Sequence, residues 1–521
     1  MPTLKLSADV VEWTIEHLLE YGDTDIFPYP PEFEFIRANK EIVRDKISEI
    51  NLRSYHPVSY VESLYPKSKF GFRAAHQLHP IDSIIFTANV VEIAQEIEDN
   101  RTPAPSKYHL NGVYSYRFGS PNDNYRMFNE EYRYADWLEC LNVHAAFSTE
   151  YTHVVVTDIS DFYQRIYRHR LENCLNTYTN NSPFVKIIEK SINDWRSRQS
   201  FGIPIGSNAS RLLAEAALCD TDEALLSEGY DYTRYVDDIA IFVGENQDPY
   251  TALAFLAEHL MVNEGLALNT QKTKIMTRDE FMQGVETNCG EDNEQAENAT
   301  TEMLFFAAYG HDDDLDEEAI ANLQAQDLLG ELEQEIAEDH WNIGKIRILL
   351  RAIKLTKSRV ASDFIHDNFG ILIPFAKDVV LVIEELKKDG DETFSDMADL
   401  VIDLLMSDKL RSLAATRAWL FEFFTRRVLP ISRAQIRRLS VLSGTSDRRY
   451  LIQLRGMNRD VNYFRQNKTR INEMSTWDQS IFIHSARCLP TDEYHHWIRS
   501  IKTRVEFPLA SEYCDWCLRS S

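Results

Sequence analysis

The stretch Arg234-Tyr235-Val236-Asp237-Asp238-Ile239-Ala240-Ile241-Phe242 sets two adjacent carboxylates between two short apolar runs, 232–236 and 239–243. Both runs are rich in β-branched and aromatic residues and bounded by polar or turn residues, the pattern of buried strands. The local structure this implies is a hairpin, with Asp237 and Asp238 in its tight turn, projecting together at one edge of a sheet. Like charges held that close are costly unless a cation neutralises them. A third run, 154–157, ends on Asp158, so a neighbouring strand can deliver another carboxylate to the same edge. Magnesium prefers carboxylate, water and phosphate oxygens. Two such ions about 3.5–4 Å apart stabilise both the attacking and the leaving oxygen of an in-line phosphoryl displacement. Helical patterns at 207–219 and 250–263 lie between and after the runs, which predicts a sheet with helices on one face.

Four further segments extend the pattern. Val154-Val155-Val156-Thr157-Asp158-Ile159-Ser160-Asp161-Phe162-Tyr163 carries an aromatic at the fifth position after Asp158. Gly202-Ile203-Pro204-Ile205-Gly206-Ser207-Asn208-Ala209-Ser210-Arg211-Leu212-Leu213-Ala214 follows, then, after the carboxylate hairpin and a helix, Gly265-Leu266-Ala267-Leu268-Asn269-Thr270-Gln271-Lys272-Thr273-Lys274. Pro66-Lys67-Ser68-Lys69-Phe70-Gly71-Phe72-Arg73 precedes them all. In this order, over residues 55–280, the segments resemble the motifs of reverse transcriptases, the RNA-directed DNA polymerases. The resemblance implies an α+β fold: right-hand polymerase fingers and palm, with an RT-like antiparallel sheet and helices, over 1–280. An acidic insertion or connector over 281–340 and an all-α C-terminal domain over 341–521 complete the expected organisation.

The same resemblance implies roles. Asp158 and Asp237 bind two catalytic Mg²⁺ ions, or Mn²⁺ in their place, and Asp238 supports them as a third metal ligand. Lys272 is the candidate proton donor to leaving pyrophosphate, with Lys274 as its rival. Lys67 and Arg73 clamp the triphosphate of a dNTP, where arginine can bind two oxygens at once and lysine acts as a point charge. Tyr163 is similar to the gate that excludes a 2′-hydroxyl, the group by which proteins tell RNA from DNA. Gly202, Pro204 and Gly206 allow close backbone approach to the base pair, and Tyr235 belongs to the same substrate site. Ile205 departs from the pattern, standing where many members have Gln. The primer-grip segment is not recognisable beyond a weak candidate at Leu304-Phe305-Phe306 near Tyr309-Gly310. No ribonuclease H, protease or integrase signature follows.

Composition frames this reading. The chain has 521 residues, 44% hydrophobic and 26% charged, with 18 Gly and 17 Pro. Those values exclude disordered, collagenous and coiled-coil classes. Seven Cys make no disulfide framework, although Cys514 and Cys517 with His495 and His496 carry partial zinc-site spacing. No apolar run approaches the roughly 18 residues of a membrane span, and the start is unlike a signal peptide. The expectation is a soluble, cytoplasmic protein.

The formal charge of −27 is unevenly spread: 20 acidic and no basic residues lie between Asp279 and Asp339. Between Arg417 and Arg470, 13 basic residues face three acidic ones. An acidic total does not exclude nucleic acid, because a local basic surface can bind phosphate. Arg426, Arg427, Arg437, Arg438, Arg448 and Arg449 are the candidates for such a surface. After residue 340 helical periodicity repeats at 343–355, 369–386, 397–405 and 410–424. Units of about 40 residues would stack into a HEAT-like solenoid or a bundle.

The helical tail, the opening Tyr21-Gly22-Asp23-Thr24-Asp25-Ile26-Phe27-Pro28 and Ile205 together resemble the bacterial abortive-infection, or defence-associated, branch. That branch implies antiphage defence, homo-oligomers, RNA or DNA as partner, in some cases a noncoding RNA, and synthesis that is untemplated or primed on a protein Tyr. Of 24 Tyr, Tyr29 in its Pro-fixed loop is the speculative choice. The rival readings are an inert nucleic-acid-binding scaffold on the same fold and an RNA polymerase.

Overall fold

The β-branched runs form strands. In the computed structural model, residues 3–289 and 327–520 are described, apart from 25, 105–111, 120, 123, 148, 149, 340, 358, 359, 389, 391, 392 and 395. Strands β1 (Val61–Pro66) and β2 (Phe72–Gln77) make an antiparallel hairpin. Strands β3 (Gly112–Val113), β4 (Tyr151–Asp158), β5 (Asp231–Tyr235), β6 (Asp238–Gly244) and β7 (Lys274–Thr277) make a sheet of order β3-β5-β6-β4-β7. Its pairings are antiparallel except for β3 with β5, which is parallel.

Alternate residues of a strand point to opposite faces. Val154, Ala240 and Phe242 pack on one side with Trp137, Leu141 and Phe281, from the helices Tyr134–Phe147 and Arg278–Cys289. Val155, Ile239, Ile241 and Val243 point the other way and are equally buried. The sheet is therefore covered on both faces rather than one, which is why its strands read as near-continuous apolar runs. The turn also differs from expectation. Tyr235 is paired with Asp238, so the two turn residues are Val236 and Asp237, and Asp238 opens β6.

The chain forms two compact units, one of residues 1–24, 44–59 and 81–294, the other of 25–43, 60–80 and 295–521. The five-stranded sheet belongs to the first. The second holds the β1–β2 hairpin and a succession of helices, with no strand after Thr277 among the described residues. Ile343–Thr356, Met397–Met406 and Ala414–Thr425 match the periodic segments closely. The expected helix at 369–386 is instead interrupted at Pro374, as Phe369–Leu372, a 3₁₀ turn and Ala376–Lys388, because proline offers no N–H to continue the ladder. Buried residues from Leu328 to Leu454 share one core. Most of the acidic block, and Leu304-Phe305-Phe306 with Tyr309-Gly310, lie outside the described residues. Among the described residues no helix is long and apolar enough to cross a membrane.

Much of the basic stretch is spent on internal pairing. Arg449 is buried: its Nη2 lies 2.8 and 2.7 Å from the two oxygens of Glu32, and its guanidinium sits 4.5 Å from the Trp477 ring centroid. A guanidinium enclosed in this way is not available to a phosphate, so Arg449 is withdrawn from the expected nucleic-acid face. Arg426 bridges Glu422 and Glu384, Arg438 meets Asp403 and Arg448 meets Asp478. Arg427 and Arg437 are exposed.

Two stability predictions follow from buried charge. Glu32→Ala leaves the Arg449 guanidinium buried without its counter-charge and should destabilise the second unit by about 3–5 kcal/mol. Arg438→Ala at the surface should change stability by less than about 1 kcal/mol; denaturant melts of the two variants check the contrast. In the first unit, Asp82 accepts the Tyr55 hydroxyl at 2.6 Å and the Val58 N–H at 2.9 Å. Burial pushes its carboxyl up to about 7, against the pull of those two bonds. The folded state thus keeps a proton that the unfolded chain gives up near 4. Asp82 therefore takes stability away as pH rises from about 4 to 7, by a few kcal/mol. Asp82→Asn should gain on the wild type across that window in urea melts, and level off above it.

Candidate active site

Register brings the acids together. Asp158, last in β4, is the Cα partner of Asp238, first in β6, so their side chains leave the same face of the sheet. Asp237 is drawn onto the same rim: its carbonyl accepts the Ile159 N–H at 3.1 Å. The loop after Leu266 closes over the rim from the other side. Ser160 donates to Ala267 O at 2.8 Å, and Asn269 N–H donates to Asp158 O at 2.7 Å. Thr273 Oγ1 lies 2.7 Å from Thr157 Oγ1. That loop delivers Lys272, whose Nζ donates to Asp158 Oδ2 and lies 3.8 Å from Asp238 Oδ1.

The electrostatics are those of crowded carboxylates. Burial, then Asp238 and Asp158, push the Asp237 carboxyl up to about 7, with Lys272 pulling it back. Burial works against the charge on Lys272, but its bond to Asp158 and the nearby carboxylates outweigh it and raise its pKa. Asp158 Oδ1 is buried with no hydrogen-bond partner. An all-oxygen donor set, an unpartnered buried carboxylate oxygen and surplus negative charge fit a hard divalent cation such as magnesium. The three aspartates are nonetheless not closed into a tight cage. Among the described residues, the trio whose ligand atoms all lie within 4.8 Å of one another is His169, Glu172 and Glu189.

The expected substrate residues fall into two groups. Tyr163, Gly202, Pro204, Gly206 and Tyr235 belong to the same unit as the aspartates. Gly202 has φ +83, donates its N–H to Ile166 O at 2.8 Å, and would set a Cβ 3.0 Å from Gln164 O. Ile203 N–H donates to Tyr163 O at 3.1 Å. The glycine loop is thereby fastened to the segment that follows Asp158, and Pro204 is buried within it. Burial, then the neighbouring Tyr116, lifts the Tyr163 hydroxyl far above its ordinary range. Tyr235 packs edge-on against Tyr134, with ring centroids 5.1 Å apart. Lys67 and Arg73 belong to the β1–β2 hairpin of the second unit. Lys67 is exposed, while Arg73 lies over the Tyr65 ring at 5.6 Å with its Nε buried and without a hydrogen-bond partner. Tyr29, also in that unit, is 43% exposed and rests on Phe33. Cys514 and Cys517 are buried free thiols on the helix Ala510–Arg519 and form no metal-ligand trio with His495 or His496.

Sequence reasoning missed what lies beneath the turn. Glu215, fully buried on the helix Asn208–Ala216, accepts from Arg101 Nη2 at 2.9 Å, Arg234 Nη1 at 2.8 Å and Ser115 Oγ at 2.5 Å. Arg234 also grips Asp222 with two bonds of 2.7 and 2.6 Å. The only sequence signal was an arginine at the middle of a strand-like run. Arg234 there is 1% exposed, and a buried charge requires partners.

Residues 110–305 match the sequence model of the family described as reverse transcriptase (RNA-dependent DNA polymerase). No curated protein matches the chain. Among solved structures, telomerase from Candida albicans, in complex with a TWJ fragment of telomeric RNA, aligns with a TM-score of 0.33 and 10% identity. That alignment covers 75% of this chain and 71% of the telomerase chain. The matched segment contains Asp158, Asp237, Asp238 and Lys272, so the part of this chain that carries the carboxylate rim is the part similar to the reverse transcriptase family.

Proposed function

We propose that the protein is a DNA polymerase of the reverse-transcriptase type that joins deoxynucleotides and acts in bacterial antiphage defence. The observation that carries the polymerase reading is the pairing of Asp158 with Asp238, with Asp237 beside them and Lys272 as their shared counter-charge, inside the family match. The defence reading is supported by Ile205, the opening segment 21–28 and the helical succession after residue 327.

In this reading Asp158, Asp237 and Asp238 hold the divalent ions, magnesium or manganese. The bound ions supply charge neutralisation for the attacking and leaving oxygens of nucleotidyl transfer. The chain's own residues do the rest. Lys272, held protonated by the carboxylates around it, presents a proton beside the rim for a leaving pyrophosphate oxygen. Tyr163, fixed through its backbone to the glycine loop, fills the space a 2′-hydroxyl would need. Gly202 and Gly206 keep side-chain bulk away from the base pair. Lys67 and Arg73 supply cations for the triphosphate. RNA or DNA is the polymeric partner, with a noncoding RNA and assembly of several copies part of the same reading. Synthesis that is untemplated or primed on a protein Tyr belongs to it as well.

With Mg²⁺ and labelled dNTPs the protein should make polymer or become labelled itself. The double change Asp237→Asn and Asp238→Asn should cut either signal by roughly a thousandfold, the scale of losing several kcal/mol of metal-borne charge stabilisation. Full activity in that variant refutes the assignment. RNA binding with steep salt dependence and no incorporation marks the scaffold reading instead. Tyr163→Ala should raise ribonucleotide use relative to deoxyribonucleotide by about tenfold or more, read by competition between labelled rNTP and dNTP.

A further inference from the structure

Val236 is the residue whose backbone must turn for the aspartates to meet. Its φ is +58, a left-handed conformation that is a true outlier for a β-branched side chain. Such a conformation persists only where the surroundings over-determine it. Here both polar groups of the Val236 peptide are held from below. Its N–H donates to Ser115 Oγ at 2.8 Å, and its carbonyl accepts from Arg234 Nη1 at 3.1 Å. Both holders end on one carboxylate: Ser115 donates its hydroxyl proton to Glu215 Oε1, and Arg234 donates to Glu215 Oε2. Ser115 has a single O–H. By committing it to Glu215, the hydroxyl turns a lone pair toward Val236.

We infer that Ser115, Glu215 and Arg234 form a positioning clamp that locks Val236 in its left-handed turn and so presents Asp237, beside Asp238, to the divalent ions. None of the three is assigned a part in the chemistry, and none touches the reacting atoms. The inference rests on the polymerase reading of the aspartates, and it adds to that reading a buried device that sets their geometry. Ser115 is fully buried between Glu215 and Val236, so it serves the turn rather than solvent.

The experiment uses the full chain and four readouts: Mn²⁺ binding by electron paramagnetic resonance, dNTP incorporation, hydrogen exchange of peptides spanning Val236, and the melting temperature. Ser115→Ala should weaken Mn²⁺ binding by about tenfold, the scale of one lost buried hydrogen bond. It should lower kcat similarly, leave the KM for dNTP within about twofold, and speed exchange at Val236. Glycine takes positive φ without strain, so adding Val236→Gly should restore most of the Mn²⁺ affinity and kcat. A merely structural role for Ser115 would instead lower the melting temperature with unchanged Mn²⁺ affinity, and Val236→Gly would not rescue it. Either result overturns the clamp. Should Ser115→Ala fail to fold, the wild type still decides, since a clamped Val236 amide exchanges as slowly as the core strands and a fast one refutes the inference. Wild-type Mn²⁺ binding and incorporation untouched by Asp237→Asn would overturn the polymerase reading itself. Loss with Asp237→Asn but none with Ser115→Ala overturns the clamp alone.

Discussion

Everything at the carboxylate rim depends on the register between β4 and β6. Because side chains alternate with period two, a slip of one residue would turn Asp158 to the face opposite Asp238. Two features forbid the slip. Both faces of the strands are buried, so every apolar side chain would have to change neighbours at once. The backbone is also pinned beyond the sheet, where Ile159 meets Asp237 and Asn269 meets Asp158. Register is thus fixed by apolar packing along the strands and by hydrogen bonds at their ends, and the carboxylates inherit their positions from it.

Holding like charges together has a cost, and the first unit answers it at two depths. At the rim, Lys272 approaches two of the three aspartates from a loop and is 52% exposed, so its contact can exchange with solvent or another cation. Beneath the rim, Arg101 and Arg234 are matched against Glu215 and Asp222 with almost no access to water. Buried ion pairs of this kind seldom repay their desolvation in stability. Their value here lies in directed bonds to the Val236 peptide, which no apolar packing could supply.

The strands, the carboxylates and most helices were legible because each writes itself locally. Val154, Val155 and Val156 can hardly be anything but strand, and an aspartate at the end of such a run is conspicuous. The exact turn was not legible: a pair of adjacent aspartates reads as two turn residues, whereas the positive φ of Val236 moved the turn back by one. The buried network was hidden for a different reason. Arg101 and Ser115 lie 114 and 100 residues before Glu215, the carboxylate they share, and nothing near Arg234 in the sequence marks which acids, 12 and 19 residues before it, will be buried beside it. The same blindness made Arg449 look like a surface cation, since its partner Glu32 lies 417 residues earlier.

That long separation has a consequence for how the molecule is born. The second unit is assembled from residues 25–43, 60–80 and 295–521, so its earliest pieces leave the ribosome hundreds of residues before the helices that bury them. Phe33, Phe35 and Ile36, almost fully enclosed in the finished protein, must wait through that interval as exposed apolar surface. Long-range closure of this kind is slow and prone to aggregation. Burial of those early pieces therefore waits for the helices that follow residue 295, and a chain cut short near residue 300 would strand its own beginning.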